Sequence, residues 1–361
     1  MDLRVLKSPE PSPPGQHLDG FAPPPHNGAM GDRVLVLGAA GTVGSRVALA
    51  LREAGFEVRC LARSRGHRNL ACASEAGAEI VWGDMNDDAA LAGALAGCRY
   101  FVHCAAPYPW SGLHFRLAGY RNQWVPQVRQ HFAAARRAGI ERAVFTSSLS
   151  TMGLAGRGKQ ADEALAYDPA RQGGGNYYPV KAALEAAVLA ETAQGPATVI
   201  VNPTGLVGEG SRNARLSAAC VFFQGLTPFM VDAPMNFVDC RDVARGHLFA
   251  LQKGRAGERY ILGGVNTTLR EFAALAAGQA GIHRPLVVPR ALAKLGALAA
   301  ECAALLTGRL GALSRTSYYH LRYGQHYSSA KAAAELGYQP TQDLLPALRR
   351  ELQWHAAVPA T

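Results

Sequence analysis

From Arg33 onward, short apolar runs alternate with longer amphipathic stretches. The runs "RVLVLG" (33–38), "EVRCLA" (57–62), "EIVWGD" (79–84), "YFVHCAA" (100–106), "AVFTSS" (143–148) and "ATVIVNP" (197–203) have strand length and β-favouring composition. Between them the spacing predicts helices over Val43–Ala54, near Ala89–Ala96, in a stretch ending near Ala138, and after Tyr177 through "AALEAAVLA". Strands that are apolar on both faces are covered on both sides, which is the pattern of a parallel sheet between helical layers. The expectation is therefore an α/β fold, a doubly wound parallel sheet with right-handed crossovers. After Pro203 the alternation loosens. "GEGSRN" reads as a turn, "FVDCRDVARGHLFAL" and "ERYILGG" as further strand and helix, and the remainder as mainly helical. A core over residues 31–205, joined by 234–263, is expected to carry a smaller, mostly helical substrate lobe built from 206–233 and 264–361.

Residues 1–30 are rich in proline and show neither helical nor strand periodicity, so they read as a disordered leader. They lack a basic region followed by an apolar run, which argues against a signal peptide. The apolar segment Leu286–Leu313 is interrupted by Arg290, Lys294, Glu301 and Arg309 and reads as one or two surface helices; stable membrane insertion is not expected. A formal net charge of +10 is spread over scattered arginines without an aromatic-interleaved stripe, so the expected partner is a small molecule, with anion binding favoured and nucleic acid not expected. Seven cysteines stand apart with no C-x-x-C pair, which fits reduced thiols in a cytoplasmic protein. No metal site is expected, and a homodimer is allowed for.

Chemistry enters with "GAAGTVG", where Gly38, Gly41 and Gly44 lie directly after a strand and before a helix. Glycines there permit a tight turn and close backbone approach to a pyrophosphate, while the helix start offers N–H groups and partial positive charge. The fold is thus expected to be Rossmann-like, with Thr42 and Val43 in the same loop. At the end of the second strand no acid is present to accept from ribose hydroxyls; Arg63 and Arg65 stand there instead and would pair with a 2′-phosphate, or else merely solvate a loop. NADP(H) is preferred on this ground, with NAD(H) retained. Asp84, followed by Met85, is read either as a partner for the adenine amino group or as a strand-end turn residue.

In "NYYPVK", Tyr177 and Lys181 are i and i+4 on the start of a helix and share a face, although Tyr178 is only three residues from the lysine. Pro179 is tolerated because a first-turn residue has no intrahelical N–H bond to lose. The glycine loop, "TSS" (146–148) at a strand end and Tyr-x-x-x-Lys about thirty residues on, together with "GDMND", "RDVARGH" and "YSSAKAAAELGYQP", resemble the extended short-chain dehydrogenase/reductase superfamily. Within it the chain is most similar to the dihydroflavonol-reductase-like branch, particularly the proteins called hopanoid-associated sugar epimerases. The resemblance implies a Ser148, Tyr177 and Lys181 catalytic set. Lys181 would lower the phenol of Tyr177 and hold the nicotinamide ribose, Tyr177 would exchange the substrate proton, and Ser148 would hydrogen-bond the substrate oxygen. It also implies that Ala105, Asn202 and Pro203 border the cofactor. Two departures stand out: Val180 occupies a slot that is often serine, and the helix slot of a relay asparagine falls on Trp124 or Gln123, with Asn122 slightly off.

Three functions compete. A reductase or alcohol dehydrogenase acting on a mainly apolar substrate is favoured by Pro107, Tyr108, Trp110, Met152, Phe222, Phe223 and Met235 as pocket candidates, several of which could equally be core. A nucleotide-sugar epimerase or dehydratase would need cationic groups for the diphosphate. Similar epimerases carry an arginine where this chain has Met235, although Arg212 and Arg215 could substitute. A cofactor-binding regulatory protein would need a damaged catalytic set, and none of the three residues is missing.

Overall fold

The computed structural model describes residues 32–105, 117–156, 158–168, 177–211, 229–296 and 324–357. The leader and the pocket candidates Pro107, Tyr108, Trp110, Phe222 and Phe223 lie outside these residues, as do Arg212 and Arg215. In chain order the elements begin β1 (Arg33–Leu37), α1 (Thr42–Glu53), β2 (Glu57–Ala62), α2 (Arg68–Glu75), β3 (Glu79–Trp82) and α3 (Asp88–Leu95). Next come β4 (Tyr100–His103), α4 (Leu117–Arg137), β5 (Arg142–Thr146), α5 (Tyr177–Thr192), β6 (Ala197–Pro203) and β7 (Gly205–Val207). The second half adds β8 (Phe229–Met230), β9 (Pro234–Asp239), α6 (Cys240–Lys253), β10 (Arg259–Leu262), β11 (Val265–Thr268) and α7 (Leu269–Ala280). Finally β12 (Leu286–Val287), α8 (Ala330–Leu336) and α9 (Leu345–Ala356) close the order.

Seven strands form one sheet in the order β10-β6-β5-β4-β1-β2-β3, and every pairing in it is parallel. The apolar runs explain it. Val34 and Val36 face one helical layer with Val47, Leu51 and Leu248, whereas Leu35 and Leu37 face the other with Phe132, Leu184 and Val188. Each face of β1 therefore buries branched side chains, and the sheet is a two-sided core. Because β2 and β4 flank β1 on opposite sides, the winding of the chain reverses around β1, opening a crevice at the carboxyl ends of β1 and β4. The five described cysteines, Cys60, Cys72, Cys98, Cys104 and Cys240, are free thiols.

Three differences from the sequence expectations concern the second half. Of residues 234–263, β10 joins the main sheet and α6 packs in its core, whereas β9 belongs to a three-stranded sheet with β7 and β11. Conversely, Ala332, Leu336 and Tyr338, placed by sequence in the lobe, are buried in the main core against α6 and β10. Leu286 and Val287 are strand, paired in parallel with Phe229 and Met230, and not helix. Pairing with a distant segment, invisible to local periodicity, decides that outcome. No helix among the described residues is long and apolar enough to cross a membrane.

Candidate active site

Gly38 follows β1 with φ of 85°, a left-handed conformation that glycine adopts without a steric penalty. A Cβ there would stand 2.8 Å from the Ala105 nitrogen, so the loop lies directly against the chain leaving β4. Gly41 closes a turn by donating to the Gly38 carbonyl at 2.8 Å and then serves as the N-cap of α1, where no side chain caps the helix. A Cβ on Gly44 would approach the Gly38 oxygen to 2.3 Å. The loop is thus a narrow cradle of bare backbone, open to an anion at an uncapped helix start. Thr42 Oγ1 and Asn69 Nδ2 both donate to the Gly210 carbonyl, at 3.2 and 2.9 Å, tying the cradle to the segment after β7.

The same segment is anchored by charge. Glu209, buried, meets Arg46 of α1 at 3.3 Å, Arg241 of α6 at 2.8 Å and Arg350 of α9 at 2.9 Å. Burial works to raise this carboxyl, and Arg241, Arg350 and Arg46 overcome it, holding it down at about 2. Sequence reading missed this group, whose four members come from four distant segments.

At the end of β2, Arg63 is exposed and only loosely paired with Asp84, at 4.0 Å, while the guanidinium of Arg65 sits 4.7 Å over the Trp82 ring. Asp84 Oδ1 accepts from the backbone and side-chain nitrogens of Asn86 at 2.9 and 3.0 Å, a strand-end turn contact, and Oδ2 faces Arg63. Met85 and Ala105 are half-buried against the core beneath β4.

Ser148 follows β5 and is half-buried; its Oγ accepts from the Ser150 N–H at 3.2 Å as the cap of a short 3-10 turn over Leu149–Thr151. α5 packs against that turn. The helix begins at Tyr177, so Tyr177 and Lys181 hold i and i+4 positions on it, the Tyr177 side chain lying outside the described residues. Lys181 is buried, and burial lowers its ammonium to about 8 against the opposing pull of Glu185 and Cys104. Tyr178 is engaged elsewhere: its hydroxyl accepts from Gln325 Nε2 at 3.2 Å and its ring stacks on Tyr167.

Asn202 is buried in β6, and its amide nitrogen reaches the Ser148 carbonyl at 3.1 Å; Pro203 follows it, also buried. Trp124 is half-buried against the core cluster that contains Phe101, Val128 and Phe145, whereas Asn122 and Gln123 are exposed. Of the two residues in the slot of the relay asparagine, Trp124 is thus the one packed against the core. Two buried histidines lie in the same helical layer. His103 Nε2 and His131 Nδ1 are 3.0 Å apart, and His131 Nε2 lies 3.3 Å from Asn86 Oδ1. Burial holds His103 well below the usual imidazole range and His131 at about 4, so both are neutral near pH 7. Met152 departs from its expected pocket role: it has no exposed surface and packs with Ala161, Ile261 and Tyr327. Met235 is half-buried on β9 against the cluster containing Phe237 and Phe272.

The family model for the NAD dependent epimerase/dehydratase family matches residues 34–263. A Synechocystis sp. protein bearing the provisional name dihydroflavonol 4-reductase is 32% identical over 90% of this chain and 95% of its own. Sterol demethylase protein B of Methylococcus capsulatus is 28% identical over 85% and 93%. Among solved structures, a nucleoside-diphosphate-sugar epimerase from Pseudomonas aeruginosa superposes with a TM-score of 0.73 at 26% identity, covering 90% of this chain and 97% of that one.

Proposed function

Because the chain belongs to the NAD dependent epimerase/dehydratase family, and its site keeps serine, tyrosine and lysine, we propose that it is an NADPH-dependent oxidoreductase acting on a carbonyl, or the matching alcohol, of a mainly apolar small molecule. The observation that carries the reading is the buried Lys181, one helical turn from Tyr177, on the helix that packs against the Ser148 turn. The bare backbone cradle fits a dinucleotide pyrophosphate, and a nicotinamide dinucleotide bound there supplies or accepts hydride. Lys181 and Ser148 do the rest with Tyr177. An ammonium beside a phenol of ordinary pKa about 10 favours its ionised form and brings proton exchange within reach of neutral pH. Ser148 accepts from Ser150 N–H through a lone pair, so among the described residues its hydroxyl proton remains for the substrate oxygen.

Preference for NADPH rests on the end of β2, where Arg63 is exposed and loosely held and no acid replaces it. An apolar substrate is supported by Met235 and by the names of two relatives, which refer to a sterol and a dihydroflavonol. Similarity to the Pseudomonas aeruginosa nucleoside-diphosphate-sugar epimerase keeps sugar-nucleotide epimerisation as the second reading. One experiment separates them. Purified protein is examined for bound cofactor by absorbance, for NADPH consumption across ketones, aldehydes and ketoacyl compounds, and for conversion of UDP-glucose by chromatography. Stoichiometric NADPH use is expected. Retained NAD with UDP-sugar interconversion and no net NADPH use overturns the reductase reading.

A further inference from the structure

Glu185 lies one helical turn beyond Lys181 on α5 and is buried. Its Oε2 accepts from Ser147 Oγ at 2.5 Å, Thr151 Oγ1 at 2.7 Å and Asn202 Nδ2 at 3.0 Å. Its Oε1 accepts from Arg259 Nη1 on β10 at 3.2 Å. Ser147 directly precedes Ser148, and Thr151 is the last residue of the turn that Ser148 caps. Thr151 Oγ1 also lies 3.1 Å from the Ser148 carbonyl, but a hydroxyl has one proton, and the charged acceptor binds it more strongly. Asn202 Nδ2 has two protons and three acceptors in reach, Glu185, the Ser148 carbonyl at 3.1 Å and the Thr151 hydroxyl at 2.9 Å, and serves two of them at a time. The side chains that brace the Ser148 turn, Ser147, Thr151 and Asn202, therefore all converge on Glu185.

We propose that Glu185 is a positioning residue, a buried carboxylate that clamps the Ser148 turn to the helix carrying Lys181 and so sets the two groups in register. A carboxylate suits the task because three donors converge on one oxygen and a guanidinium on the other. A glutamine would either place an amide N–H against these donors or give up the Arg259 contact. The charge has a second effect. Lys181 is faced by Glu185 on its own helix and by Cys104 and His103 from the end of β4, and Glu185 opposes the burial that lowers the ammonium to about 8. Arg259, whose other guanidinium nitrogen donates to the Glu163 backbone carbonyl, is the charged group facing Glu185 from β10.

The inference rests on the oxidoreductase reading only in taking Ser148 and Lys181 as the working groups, and its first test does not require a known substrate. NADPH affinity of the whole protein and of Glu185→Gln is measured by fluorescence titration from pH 6 to about pH 9. Affinity at pH 6, where the ammonium is intact in both, should agree within about twofold. Wild-type affinity should weaken as pH rises through about 8, and in Glu185→Gln the midpoint should move to lower pH. Identical midpoints overturn the proposal. A purely structural role would lower melting temperature without moving the midpoint, and that result also overturns it. If Glu185→Gln does not fold, Thr151→Val, which removes one arm of the clamp, decides the matter. It should lower kcat on a carbonyl found by the NADPH screen several-fold, with NADPH affinity unchanged, and unaltered kcat refutes the clamp. NADPH binding without turnover of any carbonyl compound sinks the reductase reading and leaves the midpoint measurement standing.

Discussion

Replacing Gly44 by alanine isolates the geometry of the phosphate cradle. The new Cβ would stand 2.3 Å from the Gly38 oxygen, 2.6 Å from the Gly38 carbonyl carbon and 3.0 Å from the Ala39 nitrogen. All three are backbone atoms, so no flexible side chain can yield. A carbon and a carbonyl oxygen separate to about 3.3 Å or more in ordinary contact. The start of α1 and the turn after β1 must therefore part by about 1 Å, a movement that spoils an array of N–H groups aimed at one anion. Overpacking of this kind costs about 1–3 kcal/mol, equivalent to about a 5- to 150-fold change in an equilibrium constant. NADPH and NADH affinities by calorimetry should both fall by about tenfold or more. Melting temperature should drop by about 2–4 °C for each kcal/mol lost. Gly93→Ala in α3 is the control, because nothing lies within 4 Å of its added Cβ. It should stabilise the protein by about 0.5–1 kcal/mol and leave cofactor affinity alone. Wild-type affinity and melting in Gly44→Ala would refute the cradle geometry.

Tyr177→Phe should abolish carbonyl reduction with cofactor affinity nearly unchanged, whereas Tyr178→Phe should remain active, since that hydroxyl is bound to Gln325; a dead Tyr178→Phe enzyme would reverse the assignment. Arg63→Ala should weaken NADPH by about tenfold or more while sparing NADH, as measured by calorimetry, because only the 2′-phosphate loses a charge-assisted partner. Equal losses for both cofactors would refute the 2′-phosphate assignment. Glu209→Ala should destabilise the fold by about 3–5 kcal/mol in urea denaturation, since it leaves Arg46, Arg241 and Arg350 facing one another without their shared carboxylate. Because the folded carboxyl is held at about 2, below its ordinary value of 4.5, its contribution is complete above 4.5 and is lost as pH falls through about 2. The extra acid sensitivity between those values should vanish in the variant.

Alternation of apolar runs with amphipathic stretches determined the layered parallel sheet, because strands covered on both faces are mostly apolar, and the few polar side chains they bury, such as His103 and Asn202, are hydrogen-bonded. β2 and β6 fall on the residues that the pattern marks, and β1, β4 and β5 fall within a few residues of it. The glycine loop and the i, i+4 spacing of Tyr177 and Lys181 were legible for the same reason: each is a local geometric requirement written in neighbouring positions. What local spacing could not reveal is which distant segments meet. Glu185 reads as one more polar residue in an alanine-rich helix until β5, β6 and β10 bring Ser147, Asn202 and Arg259 around it. Glu209 and its three arginines, the His103 and His131 pair, and the strand at Leu286 likewise exist only through contacts between remote elements. Burying a charge or an unpaired amide is costly, so such groups persist only where the completed fold supplies their partners, and the sequence does not say which partners those are.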